Sequence, residues 1–545
     1  MKRFLFLCLA ALLVPSVNRA DDKTTPTDSH AGHALGKVNF PISCSPEAQA
    51  EFNRAVALLH HMTYPQAQEA FEQVAKTDPS CAMAHWGIAM TLFQPLWPTR
   101  PSPEDLECGW EEVEKAKSLK PATKKEQLFV AATEAFYRDP AGTDYWLRIR
   151  RWEQAMEKVY QAFPDDQEAQ VFYALAHLAT APANSVSRAH SDRAAKILLK
   201  VYQENPDHPG AMHYLVHAND VPGRERESLE ITRKYEKVAP DNPHALHMPT
   251  HIYTRLGDWD GVIRGNLRAA EAALKYPAGD KKQFVWDEFP HAIEYLIYGY
   301  LQKGQDEKAA AQLKRLRGTA NLEPSFKTAF HLASTQARYA LERKNWKEAA
   351  AIVPREPGSL DWDHFTWPEA ISRFAQGLGQ ARLGKINEAK AAAERLTELE
   401  AATRKGGEDL FARNIHILRL ELQAWTAQAE KIGPASDALM REAVELESST
   451  PKAPVTPGPT LPALEQMGDL LLEQNQPVEA LVSYRRSLGL YPKRFNSLLG
   501  AARAAVALKD KAAARKYYQE LLQVADKGTR QPALKEAREY LAKER

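Results

Sequence analysis

The chain has 545 residues, more than one compact core can organise, so it must be several domains or an extended array of repeats. Lys plus Arg number 71 and Asp plus Glu 70, a formal charge of +1, which removes the electrostatic case for nucleic acid or an anionic membrane as partner. Ala, Leu, Glu, Lys and Arg dominate and β-branched runs are scarce, so helix is expected almost throughout.

The chain opens on "MKRFLFLCLAALLVPSVNRADD", two basic residues and an apolar run from Phe4 to Val14. This is a secretory signal pattern over residues 1–20, too short to span a bilayer, and no other segment reaches the roughly 20 apolar residues of a membrane span. The expected protein is therefore exported, periplasmic or extracellular, without a transmembrane anchor. Residues 21–40 are polar and read as a flexible leader, whose His30 and His33 offer at most loose metal capture.

Helical periodicity begins at "SPEAQAEFNRAVALLHHMTYPQAQEAFEQVAKTDP". Ala67, Phe71 and Pro79 there take the places of the small residue, aromatic and closing proline of a tetratricopeptide repeat, and the segment resembles one unit of that family. Cys8 leaves with the signal, so Cys44, Cys81 and Cys108 remain. In an oxidising compartment Cys44 and Cys81, at the edges of the first hairpin, are the expected bridge; the alternative is three thiols.

Units recur from Pro209 and Pro243, and weaker turn-and-helix signatures follow at "KGQDEKAAAQL", "RKNWKEAAAIV" and "LGKINEAKAAA". Insertions at 95–105, 181–190, 276–290 and 356–368 break the period; their aromatics, in "FVWDEFP" and "DWDHFTWP", either cap helix ends or close over a groove. The proline-rich stretch "SSTPKAPVTPGPTLP", 448–462, reads as a semi-rigid linker between a large array, 41–447, and a repeat pair with a capping helix, 463–545. In that pair Gly468, Ala480, Tyr484 and Pro492 mark one unit, and Ala514 and Tyr518 follow their counterparts by 34 residues. The expected fold is all-α, a right-handed tetratricopeptide-like solenoid of stacked hairpins, because one hairpin cannot bury its apolar face alone.

The histidines also repeat. His213 and His217 in "PGAMHYLVHANDVPGRE" recur 34 residues later as His247 and His251 in "PHALHMPTHIYTRLGDWD", with His244 added, and the unit from Pro290 carries His291, Glu294 and Tyr298. Residues four apart share a helix face, so each set forms a stripe. In the tetratricopeptide family these places line the concave surface that holds ligands. The resemblance therefore implies a groove lined by His213, His217, Asp220, His244, His247, His251, His291, Glu294 and Tyr298.

Three readings of this stripe stand side by side: a polar groove for a protein or peptide partner, a metal site, and a structural hydrogen-bonded ladder. For the metal, neutral imidazoles of His213, His217, His247 and His251 suit zinc or copper, with His213 and His247, or His217 and His251, sharing an ion, and Asp220 or Glu294 as ligand or support. His60, His61 and His85 form a weaker second cluster, since adjacent His60 and His61 cannot face the same way on a helix. Both the histidine block and the opening "SCSPEAQAEFNRAVALLHHMTYPQAQEAF" with "DPSCAMAHWGIAM" resemble a group of exported bacterial tetratricopeptide proteins. The chain has no "GxxxxGK[ST]", "GxSxG", "HExxH", "CxxCH" or "CxxC", so no acid, base and nucleophile set is named by spacing. A partner-binding scaffold is the leading expectation, with a metal-binding protein or metal-dependent hydrolase as the alternative.

Overall fold

A computed structural model describes residues 34–139, 142, 144–278, 281–525 and 531–543; the signal segment, His30, His33 and most of the leader lie outside them. The chain is a tetratricopeptide-like α-solenoid, in which each leading helix pairs with its successor and packs on the next hairpin. Among the described residues the only strands, Pro277–Ala278 and Lys281–Val285, form an antiparallel ribbon inside the third insertion. No described helix is long and apolar enough to cross a membrane.

The repeat signature has a direct packing cause. A Cβ on Gly468 would stand 2.7 Å from the Tyr484 ring, and one on Gly500, in the next unit's leading helix, 2.2 Å from it. The aromatic of each hairpin is thus clamped between two leading helices, and only a bare backbone comes close enough. At the N-terminus, Cys44 and Cys81 are bridged, with Cα atoms 5.2 Å apart, fastening the entry of the Pro46–His60 helix to the start of the Ala82–Thr91 helix. Cys108 stands outside the bridge.

The solenoid curls until distant units meet. Arg100 forks onto Glu408 with two bonds of 2.8 Å, and Trp259 Nε1 donates to the Lys493 carbonyl at 3.0 Å. Gly257 ends the Pro249–Leu256 helix in the left-handed region, φ +63°, where a side chain would also strike the Pro492 carbonyl oxygen at 2.6 Å.

The proline-rich segment does not run through solvent. Ala453, Val455, Thr456 and Leu461 are buried, and the segment crosses the hollow of the superhelix. Prolines have no N–H to satisfy, so such a chain tolerates burial if its carbonyls find donors. Arg338 supplies them, reaching the Pro459 carbonyl at 2.9 Å and that of Gly458 at 3.1 Å. The two tryptophans of the fourth insertion cap helix ends, Trp362 on Ala329 and Leu360, and Trp367 on Phe330 and Phe411.

Candidate metal centre

Three hairpins deliver the histidines. The Pro209–Asn219 helix carries His213 and His217 one turn apart. The next leading helix is broken: Pro249 has no N–H for an i to i−4 bond, so Pro243–His247 and Pro249–Leu256 meet at Met248. Met248 keeps helical angles, and His247 and His251 still share a face. His244 sits one turn before them, and His291 lies in the Glu288–Gln302 helix.

The rings gather into two triads, His213 with His217 and His244, and His247 with His251 and His291, each with its ligand atoms within 4.8 Å of one another. In the first, Nε2 of His213 lies 3.1 Å from Nε2 of both His217 and His244. In the second, the Nε2 atoms of His247 and His251 are 3.0 Å apart. The triads adjoin, with the His217 and His251 ring centroids separated by 6.0 Å. The grouping differs from the expected pairs His213 with His247 and His217 with His251. Side chains on a helix lean along their own axis, so i and i+4 rings meet first and the third ring crosses from a neighbouring element.

What surrounds the triads fixes their chemistry. His213 Nδ1 donates to the His60 carbonyl at 2.6 Å, and His244 Nδ1 to Glu288 at 3.1 Å. His251 Nδ1 donates to Asp220 at 2.9 Å. His247 Nδ1 donates to Asn266 Oδ1 at 2.7 Å, the amide being oriented by its own bond to the Val262 carbonyl. His291 Nδ1 donates to His331 Nε2 at 3.0 Å, since His331 spends its Nδ1 proton on Glu294 at 2.6 Å. Every acceptor in these chains is a carbonyl, an amide oxygen, a carboxylate or an imidazole lone pair. Each of the five rings therefore carries its proton on Nδ1 and turns a lone pair on Nε2 inward.

Burial disfavours the charged form of five of the six rings. It pushes His213, His217, His247 and His291 well below the ordinary imidazole value, with neighbouring imidazoles adding to the effect, and takes His251 down to about 4. Burial opposes ionisation of Asp220, but Lys452 and Arg255 hold its carboxyl well below the usual range. Glu288 is held down in the same way by Lys327 and His244.

Of the groove residues expected from sequence, all six histidines of the stripe enter a triad. Asp220 and Glu294 do not join as ligands: Asp220 supports His251 while bonding Arg255 and Lys452, and Glu294 is taken by His331, Ser334 and Arg338. Tyr298 is drawn away to Arg494, 2.8 Å from its hydroxyl, and joins neither triad. The stripe does not face an open groove either. Trp97, from the first insertion, and Val455, from the proline-rich segment, cover it.

The weaker cluster separates as its adjacency requires. His61 lies between Tyr235 and the Leu35 carbonyl, and His85 pairs with Glu112. His60 instead meets Glu168 at 2.8 Å, with His208 Nε2 3.2 Å from the other carboxylate oxygen. The latter contact is too poorly aligned for a hydrogen bond and acts electrostatically. His208 Nδ1 accepts from Ala211 N, so its Nε2 carries a proton and cannot ligate; this trio is structural.

His331, Asn266, Glu288, Lys452 and Trp97 went unread in the sequence. His331 follows His291 by 40 residues, six more than the 34-residue period; Glu288 opens the leading helix that carries His291, Asn266 lies on a second helix, and Lys452 and Trp97 lie in irregular segments.

The fold and site together define a helical-repeat scaffold with a buried histidine centre. No protein-family model matches the chain, and no curated protein matches it. Among solved structures, the human IFIT1 dimer with m7Gppp-AAAA is similar over 81% of this chain and 90% of its own, at 14% identity and a TM-score of 0.38. The APC/C hetero-tetramer Cut9-Hcn1 is similar over 91% and 89%, at 12% identity and a TM-score of 0.31. The class rests on the hairpins described above, not on likenesses of this size.

Proposed function

We propose that this chain is an exported metal-binding solenoid whose two triads each hold one first-row transition-metal ion, zinc or copper. The observation that carries the reading is the convergence of Nε2 atoms at 3.0–3.1 Å, all but that of His217 fixed inward by an Nδ1 hydrogen bond. Lone pairs so placed repel unless a cation lies among them, and burial disfavours the proton as that cation. Neutral imidazole suits zinc and copper, whereas magnesium and calcium prefer oxygen. The Nδ1 acceptors are the supports such ligands need. The Cys44–Cys81 bridge and the signal-like opening support an oxidising compartment outside the cytosol.

Elemental analysis of the purified chain, with His244→Ala and His291→Ala, tests this. The wild type carries two ions per chain and each variant loses one. A wild-type chain without stoichiometric metal contradicts the reading.

Partner binding is favoured by a separate observation. A hollow of about 260 Å³ lies among later leading helices, lined by Trp346, Trp425, Arg382, Lys344 and Glu473, a surface suited to an extended peptide of mixed charge. On this reading Trp425→Ala weakens capture of such a peptide and leaves metal content unchanged; equal peptide binding by both forms counts against it.

A further inference from the structure

The triads enclose a shared space. A cavity of about 20 Å³ lies between His217 and His244 of one and His251 and His291 of the other. Its remaining walls include the apolar side chains of Trp97, Met248 and Val455 and the Lys327 side chain, whose ammonium is paired with Asp287 and Glu288. Since one water needs about 10–15 Å³, the space between the rings suits a ligand of one or two heavy atoms.

Charge narrows the metal. The triads contribute imidazole rings as neutral ligands, and the nearby carboxylates are balanced as a group by buried cations: Asp220 by Arg255 and Lys452, Asp287 and Glu288 together by Lys327, and Glu294 by Arg338. Two divalent ions would add four uncompensated charges to a buried site, and two copper(I) ions only two. Oxidised ions therefore need an anion in the space they share.

Building on the metal-binding reading, we infer that the triads form one dinuclear copper centre and that the cavity takes a single dioxygen molecule bridging the two ions. Each copper(I) gives up one electron. Dioxygen takes both, its double bond becomes a single bond, and the resulting dianion balances the two charges the metals gain. The reverse transfer releases dioxygen, and no proton is exchanged. Trp97 and Val455 stand over the bridge on its apolar side and restrict the approach of water, which would protonate and displace it.

The full chain, freed of metal and reloaded with copper(I) under argon, supplies the test. Expected are two coppers per chain, uptake of one dioxygen per copper pair, an absorption band that disappears when dioxygen is removed, and no copper signal in electron paramagnetic resonance because the two spins couple. Two bound coppers that take up no dioxygen, or that give separate paramagnetic signals, overturn this inference and leave the metal-binding reading intact. Failure to bind copper or zinc overturns both. Val455→Phe, filling the cavity, is expected to keep two coppers and lose dioxygen uptake; unchanged uptake removes the cavity as the site. The wild-type measurement decides the pairing whether or not this variant folds.

Discussion

Nε2 of His247 and Nε2 of His251 stand 3.0 Å apart, and neither ring has a proton to place between them, because Asn266 and Asp220 hold both protons on Nδ1. The relationship is made by residues outside the triad, and on the metal-binding reading it suits the triad to a cation.

Asn266→Leu removes the acceptor that fixes the His247 ring. Metal affinity at the second triad is expected to fall about 10- to 100-fold, while Asn266→Asp retains it and the first triad is unaffected. Competition with a graded chelator measures both. An unchanged affinity for Asn266→Leu refutes the role given to the tautomer.

The clamp on Tyr484 predicts a stability effect far from the metal. Gly500→Ala sets a methyl 2.2 Å from the ring and is expected to cost about 1–3 kcal/mol. Urea unfolding of the C-terminal repeats reads this out, and a neutral substitution shows that the ring has room to move.

Cys44→Ser with Cys81→Ser opens a loop spanning 37 residues and is expected to cost about 3–4 kcal/mol in the N-terminal repeats. Metal content should not change, because the triads are held by later helices. Reduced metal content in a folded double variant would show that the bridge reaches the centre.

One half-buried acid gives a pH dependence of its own. Burial pushes the Glu447 carboxyl up to about 7, with Glu465 adding to the rise, although Ala463 N and Tyr491 partly offset it. The folded chain then keeps a proton that the unfolded chain releases above about 4.5, so stability falls as pH rises from 4.5 to 7. The slope approaches at most about 1 kcal/mol per pH unit. Glu447→Gln is expected to flatten this window and to be the more stable form above pH 7, by denaturant titration. A parallel pH profile for the two forms contradicts the assignment.

The fold was legible because its cause is periodic. Ala, Gly and the aromatic recur wherever two helices cross, so Gly468, Tyr484 and Ala514 declare the hairpins before any coordinates. The six triad histidines were legible for the same reason, sitting at repeating places on leading helices. Their partition was not. It depends on the break at Pro249, on ring directions, and on distances between helices that spacing does not encode. Lys452 and Val455 were read as part of a linker because proline-rich composition signals extension, while its burial depends on Arg338, more than a hundred residues away, donating to its carbonyls. Tyr298 was legible as a concave position, but Arg494 of the C-terminal pair claims it once the superhelix closes.

Anomalous diffraction from crystals of the purified chain, collected across the copper and zinc edges, tests the central claim most directly. The account predicts two peaks, one in each triad, with Nε2 atoms about 2.0–2.1 Å away and Nδ1 still bound to Asn266, Asp220, Glu288, His331 and the His60 carbonyl. Triads with no anomalous peak in protein purified without chelator, their rings turned to share protons among themselves, would contradict it.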